Sequence, residues 1–471
     1  MNYMKNRLLG VLMIMLIMAC SEESEQYVPS VISVSDLTID VVENVELNEV
    51  VGSINASVEP DSELQYRITS QEPRRVLGIN SVTGELYVLE PDFFDYENDE
   101  SNMINLEVEV VAGDNVKESI KVRVNLLDEE EAFIMSWLIG DDRSISIYTN
   151  PEYEYNYSVD WGDGSISESV TSDATHTYIE SGYYEVKVLG VFPALFMGKK
   201  YLTDEVGEER IESILQWGDN EWESFYGAFA GTDVGFSAED IPNLDKVTNM
   251  NSMFLNNWRL KVTNIEKWDV GNVSDMHSMF EGCTVFNQNI SDWDVSRVED
   301  MSRMFERAND FNQEIGNWDV SSVKSMFQMF AIAVNFDGNI SEWDVSNVEN
   351  FKGMFFSAMK FNQDIGNWDV SSATYMDRML YSTLQFNQNL GNWNFPNVSD
   401  LDLLLEGSNM SIDNYSQTLI GWYANPNLRD DVVLGVADLK YCETGAAART
   451  GLIQRGWTFD GDIRASQEEC N

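Results

Sequence analysis

Apolar side chains in the second half of the chain recur with a beat of 25 residues. Trp268, Trp293, Trp318, Trp343, Trp368 and Trp393 are evenly spaced, within variants of the phrase F-N-Q-x-I-x-x-W-D-V-S-x-V-x-x-M-x-x-M-F. In one unit, Val323, Met326, Met329, Phe330 and Ala333 fall at i, i+3, i+6, i+7 and i+10, the spacing of an apolar stripe on a short helix. Ahead of them Trp318 and Val320 flank Asp319, the alternation of a short half-buried strand. The pattern predicts strand, turn and short helix in each unit, repeated with the period of a solenoid. A lone unit buries too little to order itself, so neighbours must stabilise it and the ends need caps. Residues 214–243, with Trp217 and Trp222, read as a degenerate first unit. At the other end Asn394, Phe395, Pro396, Leu401, Leu404 and Leu405 replace the usual residues, and 411–471 holds two amphipathic segments suited to closing the last face.

Upstream the period shortens to two. Residues 31–131 alternate apolar and polar positions in short runs, as in I-N-L-E-V-E-V-V-A-G-D and I-K-V-R-V-N-L-L-D, which predicts an all-β sandwich. Residues 132–204 form a second β unit centred on Y-S-V-D-W-G-D-G, where Asp163-Gly164 is a strong turn pair. The chain therefore divides into 1–19 (leader), 20–30 (acidic linker), 31–131, 132–204, 205–410 (repeats) and 411–471 (cap).

Three resemblances sharpen this outline. The repeat phrase over about 211–407 resembles the bacterial surface-protein repeat related to BspA-type leucine-rich repeats. That resemblance implies an α/β, leucine-rich-repeat-like right-handed solenoid on a cell surface, with no ligand attached to it. The order V-V-E-N, L-Q-Y-R-I-T-S, G-I-N-S-V-T-G-E-L-Y-V, D-Y-E-N, V-V-A-G-D, V-N-L-L-D-E-E-E resembles a cadherin-like domain. It implies a calcium site at Glu43, Asp95, Glu97, Asp114 and Asp128, since calcium takes six to eight oxygens. Val58 stands where that family has an aspartate, and Glu130, Glu131 and Ala132 replace its Asn-Asp-Asn linker. The alternative is a set of solvated acids on a domain edge. The Trp161 region, with His176 and Tyr178, resembles a PKD-type immunoglobulin-like sandwich, which implies Trp161 in the core and a structural hydrogen bond from His176. The expected fold is thus multidomain: two all-β immunoglobulin-like sandwiches, then the α/β solenoid with its C-terminal cap.

Charge removes whole classes of partner. With 29 Lys plus Arg against 80 Asp plus Glu the formal net charge is −51, which repels phosphate backbones and anionic head groups. Nucleic acid is excluded, and the membrane is reached through an anchor only. Lys5 and Arg7 precede an apolar run at 8–18 that reads as a secretory leader. The leader ends in L-I-M-A-C, resembling a bacterial lipobox with Cys20 as the lipid-bearing residue, followed by the acidic S-E-E-S-E. The expected location is the outer membrane, lipid-anchored and facing outward. Cys283 takes a slot filled by Ala308, Ala333 and Ala358 in later units and reads as a buried thiol, which leaves Cys442 and Cys470 to close a disulfide over the tail.

The same residues argue against catalysis. His176 and His277 are the only histidines, and no phosphate loop, nucleophile elbow or paired-ligand motif is present. The chain is read as a non-enzyme. Asp269, Asp294, Asp319, Asp344 and Asp369 would stack one per unit, either capping turn N–H groups or lining up cations. Asn287, Asn312, Asn362 and Asn387 suggest a ladder satisfying turn carbonyls, and the tryptophans read as core. Arg303, Gln328, Lys352 and Arg378 differ from unit to unit, as a ligand face does. The function expected is a surface lipoprotein acting as a binding or adhesion module for a protein or polysaccharide. The alternative is a structural coat or spacer without a specific ligand, and the oligomeric state stays open.

Overall fold

The computed structural model describes residues 30–43, 45–94, 102–113, 115–127, 131–140, 143–203 and 211–470. They belong to two compact units, Met1–Glu129 and Glu130–Asn471.

The first unit is built by period-two alternation. In strand Met103–Ala112 every second residue is buried, from Ile104 to Ala112, and its antiparallel partner Lys117–Leu127 buries Ile120, Val122, Val124 and Leu126 against it. Leu37–Val42 adds to this pair in parallel and Leu64–Glu72 antiparallel, which completes a four-stranded sheet. A second sheet of Val50–Ser53, Glu85–Val88 and Leu77–Ile79 supplies Leu77, Leu86 and Val88 to the same apolar cluster.

In the second unit a six-stranded sheet runs in the order Ile166–Val170, Asn156–Asp160, Gly182–Val191, Phe133–Ile139, Ile211–Gln216, Gly235–Phe236. Strand Phe133–Ile139 is antiparallel to both Gly182–Val191 and Ile211–Gln216, and the last pairing turns parallel, with Ser213 opposite Gly235. The 132–204 region therefore does not close as a free-standing immunoglobulin-like sandwich. Its sheet continues into the start of the repeats, and one apolar cluster extends from Phe133 to Trp457.

The repeats correct the expectation further, because no α/β leucine-rich-repeat-like solenoid forms. Among the described residues the α-helices are Lys199–Leu202, Ile412–Ala424 and Glu443–Gln454, all outside the six tryptophan units, whose helical content is the short 3-10 turn Ile265–Lys267 just before Trp268. Each repeat is a layer of successive tight turns, tied to the next through single parallel bridges: Asp275 with Asp300, Asp300 with Ser325, Ser325 with Asn350, Asn350 with Tyr375.

Hydrogen bonding shows why the helical reading fails. The N–H groups of Met276, Ser278, Phe280 and Gly282 donate to Asp300, Ser302, Met304 and Glu306 of the next layer. The alternate ones, on Met279, Glu281 and Cys283, close turns onto the carbonyl three residues back. A chain that sends every second N–H to its neighbour cannot make the unbroken i to i−4 bonds of a helix. The M-x-x-M-F spacing is produced instead by consecutive three-residue turns, each returning an apolar side chain inward. Such turns need left-handed residues, found at Ser278, Arg303, Gln328 and Arg378 with φ of 54°, 56°, 53° and 59°. Gly353 takes the equivalent place at 61°.

The tail closes the far end. Helix Ile412–Ala424 starts at Ser411, whose hydroxyl accepts the Asn414 N–H, and packs on Glu443–Gln454.

Candidate functional site

The repeated side chains are used up inside the stack. Phe280, Phe305, Phe330 and Phe355 form a column with ring centroids 5.6, 5.6 and 5.8 Å apart. The tryptophans are buried, and the indole N–H of Trp318 donates to Ile290 of the preceding layer at 3.1 Å, as Trp343 does to Ile315 at 3.0 Å. Asp294, Asp319, Asp344 and Asp369 each accept the N–H two residues on, at 3.0 to 3.1 Å. The Ser296 and Ser346 bonds hold Asp294 and Asp344 below the usual carboxylate range. Asn287 accepts the Asn312 N–H at 2.9 Å, and Asn362 accepts that of Asn387 at 2.8 Å. This differs from the carbonyl-satisfying role expected of the asparagines. Those carbonyls are met by neighbouring glutamines: Gln313 Nε2 donates to Asn287 O, and Gln388 Nε2 to Asn362 O, both at 2.8 Å.

Two adjacent columns of non-repeating residues hold all four sequence candidates. Arg303, Gln328 and Arg378 occupy one column at the left-handed turn, with Gly353 between the last two. Lys352 stands one residue earlier, in the column of His277, Ser302, Phe327 and Asp377. Pairs within and between layers tie these columns together. Arg303 lies over the Phe327 ring at 5.3 Å and 3.5 Å from Glu306. Lys352 Nζ reaches Asp377 at 3.0 Å, and Arg378 lies 3.9 Å from Asp402. His277 sits 3.8 Å from Asp300, which holds the imidazole above its ordinary value.

Three residues beyond the left-handed turn the face changes character along the stack. Early layers carry Glu281 and Glu306 there, both nearly buried. The Ser278 hydroxyl bonds Glu281 at 2.7 Å, whereas Glu306 Oε2 accepts no hydrogen bond. Burial, with the Glu281 charge, pushes the Glu306 carboxyl up. Later layers carry Ala331, Phe356 and Tyr381, and the two rings stack at 5.2 Å. Sequence reasoning passed over this column, although aligning the repeats three residues after Arg303 displays the change from acid to aromatic.

The other candidates lie elsewhere. Glu43 is buried, with its N–H on Leu127 O. Asp95, Glu97, Asp114 and Asp128 lie outside the described residues, as does Cys20. Among the described residues no cluster of three or more His, Cys, Asp or Glu is arranged to hold a metal. Cys442 and Cys470 are bonded, with Cα atoms 5.9 Å apart, and Cys283 is buried with its thiol on Phe254 O. His176 stacks on Trp161 and meets Asp163 Oδ2 at 2.8 Å. The Ser165 hydroxyl and His176 pull Asp163 down to about 2.

The repeats match a family described as Mycoplasma protein of unknown function, DUF285, over residues 223–336 and 313–418. No curated protein matches the chain. Among solved structures, the third cadherin domain of human protocadherin 7 is 22% identical, over 24% of this chain and 96% of that one, at a TM-score of 0.19. Human protocadherin-24 EC1-2 is 13% identical, over 21% of this chain and 45% of that one, at 0.18. The human desmocollin-1 ectodomain is 13% identical, over 32% and 40%, at 0.20. The chain thus spans less than half the length of the last two, and likeness at these scores carries no argument.

Proposed function

We propose that this chain is a non-enzymatic binding or adhesion module, lipid-anchored at Cys20 on the outer membrane and turned outward, whose repeat face contacts a protein or polysaccharide. One observation carries the reading. The recurring Phe, Trp, Asp and Asn columns are engaged within the stack, whereas Arg303, Gln328, Lys352 and Arg378 stand at partly exposed positions where successive layers carry different residues. Positions that differ from layer to layer along a stack suit recognition of an extended partner. The net charge of −51 argues for a partner other than nucleic acid.

The test uses the full chain, immobilised and exposed to cell-surface extracts and glycans, beside a variant carrying Arg303→Gly, Gln328→Gly, Lys352→Ser and Arg378→Gly. Glycine suits the left-handed turns, so the variant keeps its fold, checked by circular dichroism. Retention by the parent and loss in the variant support the proposal. Equal retention by both, or none by either, returns the chain to a coat or spacer role. Fatty-acid labelling that persists in Cys20→Ser would remove the anchor.

A further inference from the structure

We propose a second site, separate from the repeats: a seat for a short zwitterionic peptide on the outer face of the first unit's four-stranded sheet. Lys121 and Arg123 take its carboxylate, and Glu107 and Glu72 its ammonium group.

Strand register brings these residues together. Lys121 lies opposite Glu107, and Glu107 opposite Ser70 on the edge strand. Two residues along, Thr38, Arg123, Asn105 and Glu72 stand across the same four strands. Alternation turns both rows outward, while Leu106 and Val122 between them are buried. A bulge between Ile68 and Ser70 bends the edge strand, and Ser70, Thr38 and Asn105 are short beside the long charged side chains. These rows line a depression of about 530 Å³, the size of a small-ligand site.

Unspent charge singles out the two rows from the rest of this face. On one side of them Glu109 takes both Arg67, at 2.6 Å, and Lys117, at 3.2 Å. On the other side Asn125 Nδ2 donates to Asp40 at 2.8 Å. Between them Lys121, Arg123, Glu107 and Glu72 form no ion pair among the described residues, although Lys121 and Glu107 face each other in register. Asp36, the remaining acid of the depression, accepts the Lys121 N–H at 2.8 Å.

Two open cations on one strand and two open carboxylates on the strands beside it suit a ligand that carries both charges. A lone anion would meet Glu107 and Glu72, and a lone cation would meet Lys121 and Arg123. The spacing sets the ligand's length. Glu107 is one strand from Lys121 and Glu72 two strands from Arg123, ~4.8 and ~9.6 Å at the usual strand separation. Two or three peptide residues span that range at about 3.4 Å each. The Arg123 guanidinium can hold a carboxylate through two parallel N–H groups, which leaves Ser70, Thr38 and Asn105 to bond the peptide amides.

Calorimetric titration and saturation-transfer NMR of the full chain with triglycine test the site, beside N-acetyl-triglycine, which keeps only the carboxylate, and triglycine amide, which keeps only the ammonium group. Triglycine should bind, and each blocked form should bind about tenfold more weakly, through loss of one charge-assisted contact. Arg123→Gln should bring triglycine down to the level of its amide, and Glu72→Gln down to that of the acetyl form. Both residues are exposed, and an unchanged melting midpoint of the first unit checks that the fold is kept. Absence of triglycine binding, or binding unchanged in both variants, overturns the proposal. So does an amide that binds as well as triglycine, which would reflect only the pull of a net charge of −51 on any cation, or an acetyl form that does, which would reduce the depression to an anion site. None of these results bears on the repeat columns.

Discussion

Glu306 is held nearly buried between Arg303 and Arg307, one layer from Glu281, with Oε2 lacking a hydrogen bond. Its carboxyl is raised, first by burial and then by Glu281. A carboxyl whose folded value exceeds its unfolded value binds more protons when folded, so stability rises as pH falls from the folded value toward the ordinary one. Above the folded value the whole penalty remains. Glu306→Gln should therefore raise the melting temperature at pH 8 and flatten its dependence between pH 8 and pH 4, read by calorimetry. Arg303 and Arg307 have side chains 39% and 56% exposed, so the ion pairs lost are screened and offset little. A lower melting temperature at pH 8 would show that the arginines dominate. Asn362 makes the opposite case, since its Oδ1 accepts both the Asn387 N–H and Gln388 Nε2. Asn362→Ala strips the Asn387 N–H of its acceptor, while Gln388 Nε2 keeps its bond to the Asn362 carbonyl, and should cost about 1 to 3 kcal/mol in denaturant unfolding. The aspartate caps were legible in sequence because donor and acceptor lie two residues apart. Glu306 was not, since its burial and the Glu281 charge arise only when layers stack.

At the level of elements, the parallel bridges recur at the 25-residue interval of the tryptophans, but the solenoid of strand, turn and helix expected from that beat does not form, and the side-chain spacing inside each repeat misled. Met326, Met329 and Phe330 satisfy a helical stripe and a train of tight turns equally well, because both return the chain to the same side after three residues. Only the destination of the alternate N–H groups separates the two, and that depends on residues some 25 positions away. A local test distinguishes them. Gln328 is left-handed, so Gln328→Ile should destabilise by about 1 to 2 kcal/mol, whereas a helical site would accept isoleucine at small cost, and Gln328→Gly should be tolerated. The cap was better legible: both amphipathic tail segments are helices, and the cysteines left over by position are joined. With a sequence separation of 28, that bond restricts the unfolded tail by up to about 3.5 kcal/mol. Cys470→Ser should lower the midpoint of the second unit by a matching amount, and added reductant should not lower it further.

At the scale of the molecule, the period-two strands of 31–131 and 132–204 look alike in sequence, yet the two regions have different standing. The first has an apolar cluster of its own, whereas the second shares its sheet and core with the repeats. Local pattern could not reveal this, because the pairing of Phe133–Ile139 with Ile211–Gln216 joins segments separated by the whole second β region. Aromatic packing reinforces the junction: Phe133 lies edge-on to Trp222 at 5.1 Å and stacks on Trp217 at 5.9 Å, and Trp217 in turn meets Trp268 at 5.6 Å. A layer of turns with an open end is unstable, so the strand Ile211–Gln216 and its neighbours serve the first repeat as the helical tail serves the last. Calorimetry of the full chain should then show two transitions rather than three. Met135→Ala in the second β region and Met329→Ala in the repeats, both fully buried, should each lower the same transition by about 2 to 5 kcal/mol. Val108→Ala should move only the other one. If Met135→Ala shifted a transition that Met329→Ala left in place, the shared sheet would not be coupling the two regions, and the repeats would have to be closed at that end by their own degenerate first layer.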